Sequence, residues 1–344
     1  MQFHIAVNLE RMSASEDMGA VARHTLDMVQ MAEAAGFETA WAAEHHALEM
    51  TIAPNPFQIL TWWAGETEHI RLGSAVVNAA YWHPIKLAGE AAMLDLISGG
   101  RLEFGIGSGA YQREFDRMTP GVSQKDGHLY MRESLPLIRE LWQGDVAHEG
   151  TFWQFPAATS CPKPAQRDVP IWVAARSPAT FDYAVEVGAS MMSWPLTLPF
   201  AEAEKYAALR AESTAKGAGY RGRFAMMRHA AVWENGAGRD AALGAVRGVL
   251  GQFGNLMMKK GEVRNGFPDP VPLAELDGNA RVDPEMLEEN LLFGTPDVVI
   301  KKLHKYKELG VDSFIYYASM GLEPAHQKRS LELFCSEVMP EFAA

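Results

Sequence analysis

The 344 residues predict an α/β chain folded as a (β/α)8 TIM barrel with insertions at the C-terminal face of its strands. Three observations carry that expectation. Short apolar or alternating runs give way to helical spacing eight times in succession, the pattern of a parallel sheet. No shift in composition marks a boundary, so 1–344 reads as one domain. The length also suits a barrel, which needs about 250 residues before insertions. An open doubly wound sheet is the alternative, but eight similar units in one domain favour closure.

The units follow in order. Residues 3–8 alternate apolar and polar side chains as a strand does. From Ser15 the spacing becomes helical through Met18, Val21, Leu26 and Val29, with Ser15 or Asp17 as N-cap and Gly36 as the stop. Strand 37–43 and helix 56–66 form the second unit. Strand 70–77 and helix 84–97 form the third, ended by Gly99-Gly100. Strand 101–106 precedes a helix over 125–142 and then a turn-rich, proline-containing stretch. Strand 170–175 with helix 178–187, strand 189–193 with helix 200–216, and strand 224–232 with helix 239–258 continue the series. Thr295 caps a helix over 296–309; strand 313–317 and helix 324–338 close it. Residues 254–290 form a long, Gly-rich, charged segment that reads either as a lid over the site or as a surface insertion.

Bulk composition excludes several function classes. With 48% hydrophobic and 22% charged residues the chain can bury a large core, so wholesale disorder is excluded. A net charge of −12 lacks the basic patch that nucleic-acid binding requires. Two cysteines, Cys161 and Cys335, support neither a disulfide framework nor a cysteine zinc site. The N-terminus has no signal-peptide pattern, and no apolar run approaches membrane-spanning length, so a cytoplasmic location is expected.

In such barrels the chemistry sits where the strands end. Strand two ends in Glu44-His45-His46. Neighbouring strand residues face opposite ways, so the two histidines do not share a metal, and no metal site is expected. One reading has one imidazole buried and hydrogen-bonded and the other facing solvent. The other aims a titratable imidazole into the barrel mouth as a general base or anion stabiliser. Strand four runs into Gly105-Ile106-Gly107-Ser108-Gly109-Ala110, which satisfies G-x-G-x-x-A without the first-unit context of a dinucleotide fold. These glycines suit a close approach to a flat ligand or tight packing at the rim. Strand five ends in Arg176-Ser177-Pro178-Ala179-Thr180, which is either a phosphate seat at a helix N-terminus or a plain cap. Trp41, Trp62, Trp63, Tyr81, Trp82 and Trp194 lie near predicted strand ends or loops, as core packing or as ligand walls.

Taken together, the residues resemble the bacterial luciferase-like flavin-dependent monooxygenase superfamily. The likeness runs through Ala43-Glu44-His45-His46, Arg71-Leu72-Gly73-Ser74-Ala75-Val76, His83-Pro84 and Ser98-Gly99-Gly100-Arg101-Leu102-Glu103-Phe104-Gly105. It continues in Gly109-Ala110-Tyr111-Gln112-Arg113-Glu114-Phe115, Gly294-Thr295-Pro296, Gly310-Val311-Asp312 and Val338-Met339-Pro340. Nearly the whole chain is covered, and the motifs specify the superfamily rather than a substrate.

The resemblance implies a monooxygenase that takes reduced FMN from a separate NAD(P)H:flavin reductase. With O2 it oxygenates a small organic substrate through a flavin C4a-hydroperoxide. It makes His45 the catalytic residue, places a non-prolyl cis peptide at Ala75–Val76, and puts Ser177 and Thr180 at the flavin phosphate, with Arg176 supplying charge. It sets Gly107, Ser108 and Tyr111 along the flavin, and Trp41, Tyr81 and Trp194 at the substrate pocket. Luciferase itself carries a reactive cysteine and a phosphate-binding arginine where this chain has Gly107 and Ser108, so light emission is not expected. A homodimer formed through first-half helices is implied, with Trp62, Trp63 and Met93 as candidates. The pocket aromatics suggest a neutral or weakly polar substrate. Two rival readings share the barrel: a deazaflavin (F420)-dependent dehydrogenase and a non-catalytic flavin-binding protein.

Overall fold

Eight parallel strands hydrogen-bond in a closed ring in this computed structural model, which describes residues 1–194, 199–217, 219–257 and 262–343. In chain order the elements are β1 (Gln2–Ala6), α1 (Met18–Ala34), β2 (Thr39–Ala42), α2 (Pro56–Gly65), β3 (Arg71–Ser74), β4 (Val77–Asn78), α3 (Pro84–Ile97) and β5 (Leu102–Gly107). Next come α4 (Gln112–Met118), α5 (Gly127–Gln143), β6 (Val146–Glu149), β7 (Gln154–Ala158), β8 (Ile171–Ala174), α6 (Pro178–Glu186), β9 (Ser190–Met192) and α7 (Phe200–Lys216). The last are β10 (Phe224–Val232), α8 (Gly236–Met257), β11 (Val263–Arg264), β12 (Phe267–Pro268), α9 (Pro284–Asn290), β13 (Leu292–Gly294), α10 (Pro296–Glu308), β14 (Ser313–Tyr317) and α11 (Pro324–Leu333). The ring runs β1-β2-β3-β5-β8-β9-β10-β14 and returns to β1. The (β/α)8 expectation therefore holds.

Local chemistry sets the helix starts. Asp17 rather than Ser15 caps α1, accepting from the Ala20 amide at 2.7 Å. Proline opens α2, α3, α6, α9, α10 and α11, where its missing N–H has no helical partner to lose.

Several elements depart from the sequence expectation. The single strand over 70–77 is two short strands, β3 and β4, with the cis Ala75–Val76 peptide between them. Across this break the Ser74 hydroxyl replaces the ladder: it donates to the Gly105 carbonyl at 2.8 Å and accepts from the Gly105 amide at 3.0 Å. A Cβ on Gly105 would lie 1.9 Å from the Ser74 carbonyl oxygen, and one on Gly107 would lie 2.5 Å from Val76 Cγ2. The glycines of the fourth unit thus serve close packing at the rim. The turn-rich stretch holds the β6–β7 hairpin, hidden in the sequence by Pro156, which hairpins tolerate at an edge. Helix α11 passes into a π turn at Phe334–Val338.

The predicted helix over 239–258 is α8; its last expected residue, 258, lies outside the described residues, as do 259–261 of the proposed lid. The described part of 254–290 holds the β11–β12 hairpin and the whole of α9. Leu276, Val282 and Leu287 bury themselves with Trp233 and Phe293, and the Gly266 carbonyl accepts from the Glu49 amide at 2.8 Å. β13 then adds beside β10 outside the ring.

The barrel interior has an aromatic floor. Trp41 on β2 and Trp172 on β8 are fully buried and meet edge to face at 5.4 Å. Trp41 fits because its partner in register, Gly73, has no side chain; a Cβ there would sit 2.1 Å from Trp41 Cε3. Of the dimer candidates, Trp63 is fully buried and belongs to the core, whereas Trp62 and Met93 are exposed. Both cysteines are free. Among the described residues no helix is long and apolar enough to cross a membrane.

Candidate active site

The strand ends on the C-terminal side open into one cavity of about 780 Å³, a size suited to a cofactor with a small substrate. Its base is apolar: Trp41, Ala75, Val76, Met192 and Met227. On one side stand His45, Ser108 and Tyr111; on another, Arg176, Ser177 and Thr180 at the start of α6; Trp194 lines it as well. Strand ends far apart in sequence therefore bring most of the predicted residues together. Two do not reach it. Gly107 lies beneath Val76, and Tyr81 sits behind the wall, its ring 5.4 Å from His46 and 5.1 Å from Phe115.

Neither histidine faces solvent, which corrects the reading of one exposed imidazole. Both turn back onto buried carboxylates. His46 Nε2 donates to Glu44 Oε1 at 2.8 Å, and the same carboxylate accepts from Trp82 Nε1 at 2.9 Å and from the Asn78 amide at 2.7 Å. Glu44 thereby ties the strand-two loop to the segment that follows the cis peptide. His45 Nδ1 lies 3.1 Å from Glu114 Oε1, which also accepts from the His46 amide at 2.8 Å. Burial pulls the His45 pKa down, but the Glu114 charge and hydrogen bond outweigh it, so the imidazole sits above its ordinary value. Burial pushes Glu114 up, and the two histidines more than reverse that, leaving it below the usual carboxylate range.

The start of α6 is a capped helix N-terminus whose hydroxyls also reach the cavity. Thr180 Oγ1 accepts from the amides of Arg176 and Ser177 at 3.0 and 2.9 Å, and Ser177 and Thr180 form a capping box. The same hydroxyls line the cavity, with Ser177 exposed. The Arg176 guanidinium lies 5.3 Å from the Trp194 ring centre, a cation–π contact.

Sequence reasoning missed Glu114, Phe253 and the far wall. Phe253 on α8 stacks near-parallel on Tyr111 at 5.9 Å. Across the mouth, Asn8 Nδ2 donates to the Tyr317 hydroxyl at 2.7 Å, and His229 donates from Nδ1 to the Ser319 carbonyl at 2.9 Å. Burial lowers the His229 pKa to about 4, so it is neutral there. None of these carried a local signal: Glu114 sits in a short charged stretch with Arg113, Asp116 and Arg117, and nothing in that run marks it as the acid that faces inward. Among the described residues no group of three or more His, Cys, Asp or Glu is placed to hold a metal ion.

With this geometry in place, comparison with known proteins decides the family. Residues 1–313 match the luciferase-like monooxygenase family. The chain belongs to it. It is 36% identical over its whole length, and over 96% of the relative's, to the oxygenase component of a flavin-dependent trigonelline monooxygenase from Acinetobacter baylyi. Its fold matches the crystal structure of a monooxygenase from Streptomyces bottropensis with a TM-score of 0.80 and 26% identity over all of both chains. It also matches the FMN-bound oxygenating constituent of 3,6-diketocamphane monooxygenase from Pseudomonas putida, at a TM-score of 0.76, 20% identity, 99% of this chain and 98% of that one. The same barrel occurs in F420-dependent enzymes.

Proposed function

We propose that this luciferase-like protein is the oxygenase of a two-component system: it binds reduced FMN delivered by a separate NAD(P)H:flavin reductase and uses O2 to oxygenate a small aromatic substrate. The observation that carries the reading is the convergence of His45 and the Ser177–Thr180 hydroxyls on one cavity floored by the Ala75–Val76 cis peptide. Reduced flavin, when bound, supplies the electrons and the carbon centre that activate oxygen.

The residues fit such a group. Ser177, Thr180 and Arg176 offer hydroxyls and a cation for its phosphate at a helix N-terminus. The apolar base of Ala75, Val76, Met192 and Met227 offers a flat, dry bed for its ring system. His45 holds a proton at the edge of that bed. Tyr111, Trp194 and Phe253 wall the remaining space with aromatic faces that stack on a substrate ring. Glu44, buried at the cavity lining, and buried Glu114 beside Tyr111 add negative charge near that space, so a cationic ring is also a candidate, which widens the neutral class expected from sequence. Trigonelline, named for the Acinetobacter relative, is the first substrate to test.

Anaerobic titration with reduced FMN, then rapid mixing with oxygen and trigonelline, tests the proposal. Saturable binding is expected, followed by near-ultraviolet absorbance distinct from both reduced and oxidised FMN. Absence of binding, or product formed with F420 under nitrogen, would transfer the assignment to the deazaflavin dehydrogenases. The exposed Trp62, Met93, Leu96 and Ile97 on α2 and α3 support a homodimer, which mass photometry reads directly.

A further inference from the structure

Two carboxylates flank the Glu44-His45-His46 turn, and their hydrogen bonding sets them apart. Glu44 is saturated: three donors from His46, Trp82 and the Asn78 amide occupy both its oxygens. Glu114 is not. Its Oε1 takes His45 Nδ1 and the His46 amide, while Oε2 is buried without a hydrogen-bond partner among the described residues. Glu114 itself is 1% exposed. A buried carboxylate left half-satisfied is costly, since the unpaired oxygen loses its water and gains no donor. That cost is retained where the charge serves another group.

We propose that Glu114, held at the start of α4, is the positioning residue of His45: it accepts from Nδ1–H, turns Nε2 to the cavity, and keeps a proton on that nitrogen for delivery to whatever the cavity holds. The tautomer follows from the chemistry of the pair. An ionised carboxylate only accepts, so Nδ1 carries the hydrogen and Nε2 is the atom left for the ligand. Among the described residues Nε2 has no protein partner. The ring is also fixed from its other sides: Tyr111 lies 5.7 Å away, and the His45 amide donates to the Ala53 carbonyl at 3.1 Å.

Charge completes the case. The titratable groups that act on the imidazole or touch it are Glu114 on α4, Glu44 on the same turn and Tyr111 at the α4 N-cap, while Arg113 and His46 act on Glu114. Glu114 is the nearest and largest source of the upward pull on His45, and Glu44 adds a smaller one. His45 is therefore doubly protonated below its raised pKa, and as pH rises through it the ring loses the Nε2 proton while Nδ1–H keeps its hydrogen bond to Glu114. This inference rests on the oxygenase reading for its consequence, but the pairing itself is testable on the ligand-free protein.

The experiment is a carbon–proton NMR titration of the histidine rings, with His45 assigned by its loss in His45→Gln. In Glu114→Gln the His45 midpoint is expected to fall by about 1–3 pH units, and in Glu44→Gln by less. The alkaline limb of the oxygenation profile should move by the same amount in Glu114→Gln, with kcat affected more than KM. A His45 midpoint unmoved in Glu114→Gln overturns the proposal. If that variant does not fold, Glu114→Asp, which keeps the charge but withdraws it by one methylene, takes its place: a smaller fall supports the proposal and no change overturns it. Failure of oxygenation with an intact midpoint shift would instead sink the oxygenase reading and leave the pair standing.

Discussion

At the floor of the barrel His4 spends both ring nitrogens on the protein, donating from Nε2 to Glu38 at 3.2 Å and accepting at Nδ1 from Trp41 Nε1 at 3.1 Å. At the mouth His45 spends only Nδ1. The neighbouring acids differ in the same way. Floor Glu103 is held by Arg71, Arg223 and Trp172 Nε1, whereas mouth Glu114 keeps one oxygen idle. The two ends contain the same pair, imidazole against carboxylate. The floor uses it to close a polar network beneath the tryptophans, and the mouth leaves it open toward a cavity. What separates structure from function here is which atoms remain unspent.

The sharpest way to break that contrast is His45→Ala. Removing a positioned acid–base group lowers oxygenation by about 10²–10⁴-fold, with peroxide appearing in place of product and reduced-FMN affinity changing little. A variant that still turned over would make the mouth pair as structural as the floor pair. Next in size is Glu103→Leu, which takes from Arg71, Arg223 and the buried Trp172 Nε1 the carboxylate they share and sets an apolar side chain in its place. Breaking such a network by one partner costs about 3 kcal/mol, read as a lower urea midpoint. Loss of flavin binding without loss of stability would place Glu103 in the site and erase the distinction.

Acid provides a subtler probe of the floor. Burial pushes Glu38 up, but hydrogen bonds and charges from His4 and Arg223 outweigh it and hold its pKa at about 2, against 4.5 for the free group. A carboxylate depressed on folding stabilises the protein above pH 4.5, and that stability drains away as pH falls toward 2. The contribution is about 2–3 kcal/mol, discounted for partial exposure. Glu38→Gln should flatten the acid limb of the stability curve over this window. An unchanged limb would mean that the floor network does not pay for its burial through charge.

The barrel was legible from sequence because the alternation of strand and helix periods is written locally, element by element. The rim was less so. Nothing local announces that Ala75–Val76 splits a strand, since the reason lies across the sheet, where Gly105 and Gly107 leave room for Ser74 and Val76. That His45 reaches the cavity was readable from its strand-end position, and that Arg176, Ser177 and Thr180 do from theirs. Glu114 was not: it stands 69 residues away on a seven-residue helix with only Glu114 and Phe115 buried, too short to show periodicity. Phe253 came from α8, read only as a helix face. Tyr81 shows the converse error, an aromatic near a strand end that the fold turns behind the wall. Long-range pairing decides which strand-end residues face the cavity, and periodicity does not record it.

Ser177 lies between the two extremes, and the smallest predicted effect belongs to it. Its hydroxyl shares a capping box with Thr180, as a floor group would, yet it is exposed to the cavity, as a mouth group would be. Ser177→Ala loses the cap, which costs about 1 kcal/mol of stability, and that loss alone does not reveal a ligand. Comparing two flavins does. If the hydroxyl only caps α6, reduced FMN and reduced riboflavin should weaken together or not at all, because both feel the same frayed turn. If it also receives a phosphate, FMN affinity should fall about 10-fold, as expected for one hydrogen bond to a charged group, while riboflavin, which has no phosphate, stays put. Equal binding of FMN to the variant and the parent would assign the hydroxyl to the helix alone and leave Arg176 to hold the phosphate.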